Sequence, residues 1–141
     1  MKDLSNSVAC SASLTPAVRT ADTNGTGIDL QGFESATVVW EVGAEGVTLS
    51  STVKIEAKLE HSDDDSTYTA VAQADVVDGT VSSGVFATYD DNAEAPAVAK
   101  IGYIGGKRYI RVVDERTGTH STGTPTSAVV VKGNPGHTSQ V

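Results

Sequence analysis

Cysteine occurs once in this chain of 141 residues, at Cys10, so no disulfide can form within it. Aromatic residues are scarce, with one Trp, four Tyr and two Phe, which leaves few rings for a ligand platform. Basic side chains are also few, 10 against 18 acidic ones, for a formal net charge of −8. That balance excludes a binder of nucleic acid or of an anionic membrane surface, because phosphate contacts need clustered Lys and Arg. No stretch of apolar residues is long enough for a transmembrane helix. The segment Met1–Cys10 opens with a cation but lacks the apolar core of a signal peptide, so secretion is not expected. Cys10 follows Val8-Ala9 as in a lipoprotein site, yet Ser7 stands where a Leu belongs, and lipidation is not expected either. Asn24-Gly25-Thr26 is formally a glycosylation sequon and reads as a turn.

What is abundant is β-branched. Val contributes 19 residues and Thr 17, about a quarter of the chain, whereas Leu and Ile supply five each. Side chains stiff at χ1 fit a pleated sheet better than a helix. A chain of this length buries roughly 68–70% of its unfolded surface, enough for one core without metal or disulfide. One all-β domain is therefore expected.

Period-2 patterns place its strands. Residues 1–24, rich in Ser, Thr and Ala and broken by Pro16, read as an extended N-terminal arm that orders on a partner and adds nothing to the domain's stability. A domain over residues 25–132 follows, and residues 133–141 read as a C-terminal tail. A short strand is expected at Gly27–Leu30 and a long one at Ala36–Val42, with Trp40 as an anchor. From Val53 to His61, Val53, Ile55, Ala57 and Leu59 alternate with Lys54, Glu56, Lys58 and Glu60, so one face is buried and the other carries alternating charge. That charge row is either a solvated face or a surface for another subunit. The turn Ser62–Ser66 returns the chain into a second strand to form a hairpin. Val85–Tyr89 is a further strand. Gly105-Gly106, between the β-rich runs 98–104 and 107–114, predicts a two-residue hairpin turn. Val129, Val130 and Val131 run contiguously in the last strand, which predicts cover on both faces. Eight antiparallel strands fit a sandwich or jelly roll, with a small closed barrel as the alternative. Trp40, Ile55, Leu59, Tyr103, Ile110 and Val112 are the expected core.

Signatures of chemistry fail one after another. Gly25-Thr26-Gly27 begins like a dinucleotide fingerprint, but Leu30 replaces the last glycine and no helix follows. Gly106-Lys107 resembles the end of a phosphate loop, but Arg108 stands where Ser or Thr is required. Neither Gly-x-Ser-x-Gly nor His-Glu-x-x-His occurs. His61, His120 and His137 are too scattered for a zinc-ligand pattern. Asp63-Asp64-Asp65 lacks the spacing of a calcium loop and reads as a turn whose carboxylates cap backbone N–H groups. Cys10 has no base beside it. No catalytic, cofactor-binding or metal-binding residue is assigned, and no enzyme is expected. Arg108 and Arg111, on opposite faces beside Tyr109, are either ordinary surface arginines or partners at a subunit boundary.

Four segments stand out as a set: residues 27–36 (Gly-Ile-Asp-Leu-Gln-Gly-Phe-Glu-Ser-Ala), 58–64 (Lys-Leu-Glu-His-Ser-Asp-Asp), 101–112 (Ile-Gly-Tyr-Ile-Gly-Gly-Lys-Arg-Tyr-Ile-Arg-Val) and 132–135 (Lys-Gly-Asn-Pro). Together they resemble small structural virion proteins of tailed bacteriophages, over a span from about residue 16 to the end. Within those, the set is most similar to head decoration, or cement, proteins. The resemblance implies a homotrimer that binds the major capsid protein on the outer surface of the head and is made in the cytoplasm of the bacterial host. It implies no small-molecule substrate, nucleic acid, membrane or cofactor. The alternatives are a spike-base or tail-associated receptor-binding module, and a carbohydrate-binding β-sandwich, which would need several aromatics on one exposed face.

Overall fold

The computed structural model describes residues 4–136. Its strands are β1 (Val8–Arg19), β2 (Thr23–Asn24), β3 (Ile28–Asp29), β4 (Phe33–Val42), β5 (Lys54–Ser62), β6 (Thr69–Ala70), β7 (Val76–Val77), β8 (Val85–Tyr89), β9 (Ala97–Tyr103), β10 (Tyr109–Thr117) and β11 (Thr124–Pro135). They form an all-β sandwich of two antiparallel sheets. The first has the order β1-β11-β4-β9-β7. The second has the order β2-β10-β5-β6, with β3 also on β10 and β8 on β5.

Alternation within each strand decides which side is buried. In β4, Ala36, Val38, Trp40 and Val42 point inward, while Thr37, Val39 and Glu41 point outward. In β5 the inward residues are Ile55, Ala57 and Leu59, and in β10 they are Ile110 and Val112. Trp40, Ile55, Leu59, Ile110 and Val112 are 0% exposed and Tyr103 is 3% exposed, so all six expected core residues lie in the core. The Trp40 ring packs at a tilt on Tyr89, 5.3 Å between centroids.

Four expectations change. The segment read as an arm is extended, but residues 8–19 form β1 and pair with β11 from Val8 opposite Gly133 to Arg19 opposite Thr124. Leu14 is 2% exposed and belongs to the core. Ser13 stitches β1 to the second sheet: its hydroxyl accepts the Val112 N–H at 3.0 Å and donates to the Thr26 carbonyl at 2.9 Å. Register shifts between Ala12 and Leu14 and between Leu14 and Ala17 put the neighbours Ser13 and Leu14 both on the buried side, which erases the period-2 signal. At the other end, β11 runs through Pro135, so residues 133–135 of the expected tail are strand; residues 137–141, His137 among them, lie outside the described residues.

The Gly105-Gly106 hairpin is the second difference. β9 and β10 belong to different sheets, and residues 104–108 arch across the core between them. Neither glycine has positive φ. Gly105 is needed for clearance, because a Cβ there would sit 2.6 Å from the Tyr103 hydroxyl oxygen. Third, the hairpin from β5 is short, with β6 pairing only at Glu60 with Ala70 and His61 with Thr69. Fourth, the three contiguous valines alternate: Val130 is buried, whereas Val129 and Val131, on the outward face, are only partly covered.

Candidate functional site

The four segments that carry the family resemblance meet at one end of the sandwich. Asp29, at the end of β3, receives a two-pronged hydrogen bond from Arg108, Nε to Oδ1 at 3.0 Å and Nη2 to Oδ2 at 2.7 Å. Lys132 of β11 donates to the Asp29 carbonyl at 3.1 Å and lies 4.8 Å from the Phe33 ring centre. Lys107 reaches Asp63 at 2.5 Å, and its backbone N–H donates to the Tyr103 hydroxyl at 3.1 Å. That phenol in turn meets His61 Nδ1 at 3.1 Å. The Arg108 hydrogen bond holds the Asp29 carboxyl below the usual carboxylate range, and burial pushes His61 down and Tyr103 up. A cleft of about 460 Å³ opens between these segments, walled by Leu30, Phe33, Tyr103 and Ile104 and rimmed by Lys107 and Arg108. Both rim cations are already paired with acids of the same chain.

The acidic turn beside this end is held together internally. Asp64 accepts the backbone N–H groups of Thr67 and Ser66 and the Ser62 hydroxyl, which lowers its carboxyl to about 2. Asp63 pairs with Lys107, and Asp65 accepts the Tyr68 hydroxyl. Each carboxylate thus has a partner within the chain, as in a capped turn. His120 sits apart in the β10–β11 loop, buried, with Nε2 at 2.9 Å from the Thr117 carbonyl. Cys10 is exposed on β1.

The outward face of the second sheet is a network of ion pairs. Lys54 meets Glu56 at 2.9 Å, and Lys58 meets Glu115 at 2.9 Å and Glu60 at 3.7 Å. Arg111 donates to Glu60 from both Nε and Nη2, at 2.9 and 2.7 Å, while its guanidinium stacks 4.0 Å from the Tyr68 ring centre. Arg111 and Arg108 are therefore both engaged within the chain. Their partners, Glu60 and Asp29, were not assigned from the sequence.

A second feature missed by sequence reading lies inside. Asp114, on the inward side of β10, pairs with Arg116 through Nε at 2.6 Å and Nη2 at 3.1 Å, and the two side chains are 0% and 1% exposed. Thr126 donates its hydroxyl to Asp114, and Arg19 donates to that hydroxyl at 3.0 Å and to the Thr126 carbonyl at 2.5 Å. This chain of contacts clamps β1, β10 and β11 across the sandwich. The spacing gave a signal, since Ile110, Val112, Asp114 and Arg116 share one side of an alternating strand.

The outward face of the first sheet differs from all of these. Opposite positions on β9, β4 and β11 are Val98, Glu41 and Ser127 in one row and Lys100, Val39 and Val129 in the next. Val98 is 64% exposed. Gly102 continues the surface, since the Val77 side chain lies where its Cβ would be, 2.7 Å away.

No protein-family model matches this chain, and no curated protein matches it. Among solved structures it is similar to one titled "Crystal structure of SPBc2 prophage-derived protein YomS", with 18% identity, a TM-score of 0.45, and coverage of 89% of this chain and 92% of that one.

Proposed function

We propose that the chain is a structural protein of a tailed-phage virion, and that it decorates the outside of the assembled head by binding the major capsid protein. The observation that carries this reading is the convergence described above. Segments near residues 30, 61, 105 and 133 resemble the phage proteins in sequence, and in the fold they touch one another through Asp29–Arg108, Lys107–Asp63 and Lys132–Asp29. Segments that carry the resemblance and also contact one another in the fold have the pattern of one inherited structural unit.

The mechanism is mass action. A protein that binds the assembled shell in preference to free subunits lowers the free energy of the shell, with no substrate consumed. What the role demands is a stiff module, and the buried clamp across the two sheets and the paired charges on the second sheet supply it. A glycan-binding role has less support. Trp40, Tyr89 and Tyr103 are buried, and Phe33, Tyr68 and Tyr109 each lie under a cation, so six of the seven rings are engaged within the chain.

The test is the copy ratio of this protein to the major capsid protein in purified particles, by quantitative mass spectrometry. A ratio near one to one is the expected result. A few copies per particle moves the protein to a spike base or the tail, and absence from particles overturns the virion reading.

A further inference from the structure

We propose that the peptide link Asp78-Gly79 is a modification site, at which the folded chain converts an aspartate into isoaspartate without any enzyme. The reaction is fastest where a small residue follows an Asp or Asn, because the backbone nitrogen of that next residue must reach the side-chain Cγ. Five such pairs lie among the described residues: Asn6-Ser7, Asn24-Gly25, Asp65-Ser66, Asp78-Gly79 and Asn92-Ala93. By sequence, Asn24-Gly25 is the most reactive of them. The side-chain amide of Asn leaves as ammonia more readily than a carboxyl group loses its oxygen, and glycine has no Cβ in the way.

The fold reverses that order. Asn24 lies in β2 opposite Val113, and the Gly25 N–H donates to the Val112 carbonyl at 2.8 Å, which holds the nitrogen away from Cγ. Three other pairs are tied in the same way: the Ser7 N–H donates to the Leu4 carbonyl, that of Ser66 to the Asp64 carboxylate and that of Ala93 to the Asp91 carboxylate. The Gly79 N–H, by contrast, has no acceptor among the described residues. Asp78-Gly79 follows the two-residue strand β7 and lies outside every ladder, where local opening is easiest. A φ of 61° puts Asp78 in the left-handed region, so the chain turns sharply there. Its side chain is 64% exposed, and its pair with the equally exposed Lys100 is too weak to immobilise it.

The atoms balance without a co-reactant other than water. The Gly79 nitrogen bonds to Asp78 Cγ, and the carboxyl hydroxyl leaves with the amide proton as water. Water then opens the five-membered imide. Attack at Cγ returns aspartate. Attack at the Asp78 backbone carbonyl leaves the chain running through Cβ and Cγ, one atom longer, with the former backbone carbonyl as the new carboxylate. Mass is unchanged. The lengthened link falls in the turn spanned by the Gln73 side chain, which donates to the Gly79 carbonyl at 3.1 Å and accepts the Val81 N–H at 2.9 Å.

Peptide mapping by mass spectrometry tests this independently of the virion role, on the full chain aged folded and aged in denaturant at the same pH and temperature. Methylation by an isoaspartate methyltransferase marks the product. Folding is expected to slow Asn24 by more than about tenfold, because its reaction must first break the Gly25 hydrogen bond, and to slow Asp78 much less. The leading site then changes from Asn24 in the unfolded chain to Asp78 in the folded one. Gly79→Ala is expected to remove most of the isoaspartate at residue 78 and to leave Asn24 as it was. That variant keeps the fold, because Gly79 does not have positive φ and its Cβ would meet only the end of the Ile101 side chain. A folded protein in which Asn24 still leads overturns the proposal. So does equal slowing of the two sites on folding, or an unchanged yield at residue 78 in Gly79→Ala.

Discussion

The two outward faces of the sandwich are built on strands of similar length, and they treat charge in opposite ways. On the second sheet, Lys54, Glu56, Lys58, Glu60, Arg111 and Glu115 form a self-satisfied network, so a partner would have to break existing pairs to use it. On the first sheet, exposed Val98 and partly covered Val39 and Val129 leave some apolar area in contact with water among Glu41, Ser127 and Lys100, and covering that area displaces the water. Charge density alone is therefore a poor guide to where a β-sandwich binds. What matters is whether the charges have been matched within the chain.

The sharpest way to test that principle is to compare a matched pair in water with a matched pair inside. Asp114→Ala leaves Arg116 buried and uncompensated and is expected to cost about 3–5 kcal/mol in urea unfolding. Arg108→Gln, which breaks the exposed pair with Asp29 at the end of the sandwich, is expected to cost only a small fraction of that, because solvent screens that pair. Similar losses for the two variants would remove the distinction between the buried clamp and an exposed pair.

Leu14→Ala probes whether the first sheet includes its edge strand as a stabilising element. Removing a buried leucine is expected to cost about 2–5 kcal/mol, whereas an arm that orders only on a partner would give no change. A thermal melt of the isolated protein decides between them.

A smaller effect comes from the end of the sandwich. Burial lowers the His61 pKa from 6.5, and Asp75, Lys107 and Asp63 are the charged groups around it. The unfolded chain then takes up its proton at a higher pH than the folded chain does. Stability is complete above pH 6.5 and declines as pH falls toward the folded value, below which both states carry the proton and the decline stops. In His61→Gln that pH-dependent component is expected to disappear from a series of denaturant titrations across this range. An unchanged slope would assign it to other groups.

Legibility in the sequence followed local regularity. Strand β5 was readable because Ile55, Ala57 and Leu59 alternate without interruption with Lys54, Glu56 and Lys58, and β8 because Val85–Tyr89 is bounded by turn residues. β1 was not, because two bulges and Pro16 scramble the alternation that Leu14 depends on. At Gly105-Gly106 the sequence signal for a turn was sound, but a hairpin and an arch between sheets use the same small residues. The discriminating contact, Gly105 against the Tyr103 ring, is formed only after the chain has crossed. In the candidate site, Arg108 and Arg111 could be picked out as ambiguous, while Asp29 and Glu60 could not be named as their partners, since 79 and 51 residues separate the pairs.

By itself, then, the sequence determined an all-β domain, the inward residues of its regular strands and the absence of the familiar catalytic signatures, because these depend on composition, spacing and period 2. Only the tertiary structure decided which sheet each strand joins, that residues 8–19 complete the first sheet, and that one outward face is a network of paired charges while the other sets valines among a few polar side chains. Those outcomes depend on contacts between residues far apart in the chain. Such contacts leave no mark on local pattern, because the free energy that selects them appears only when the two sheets close over a shared core.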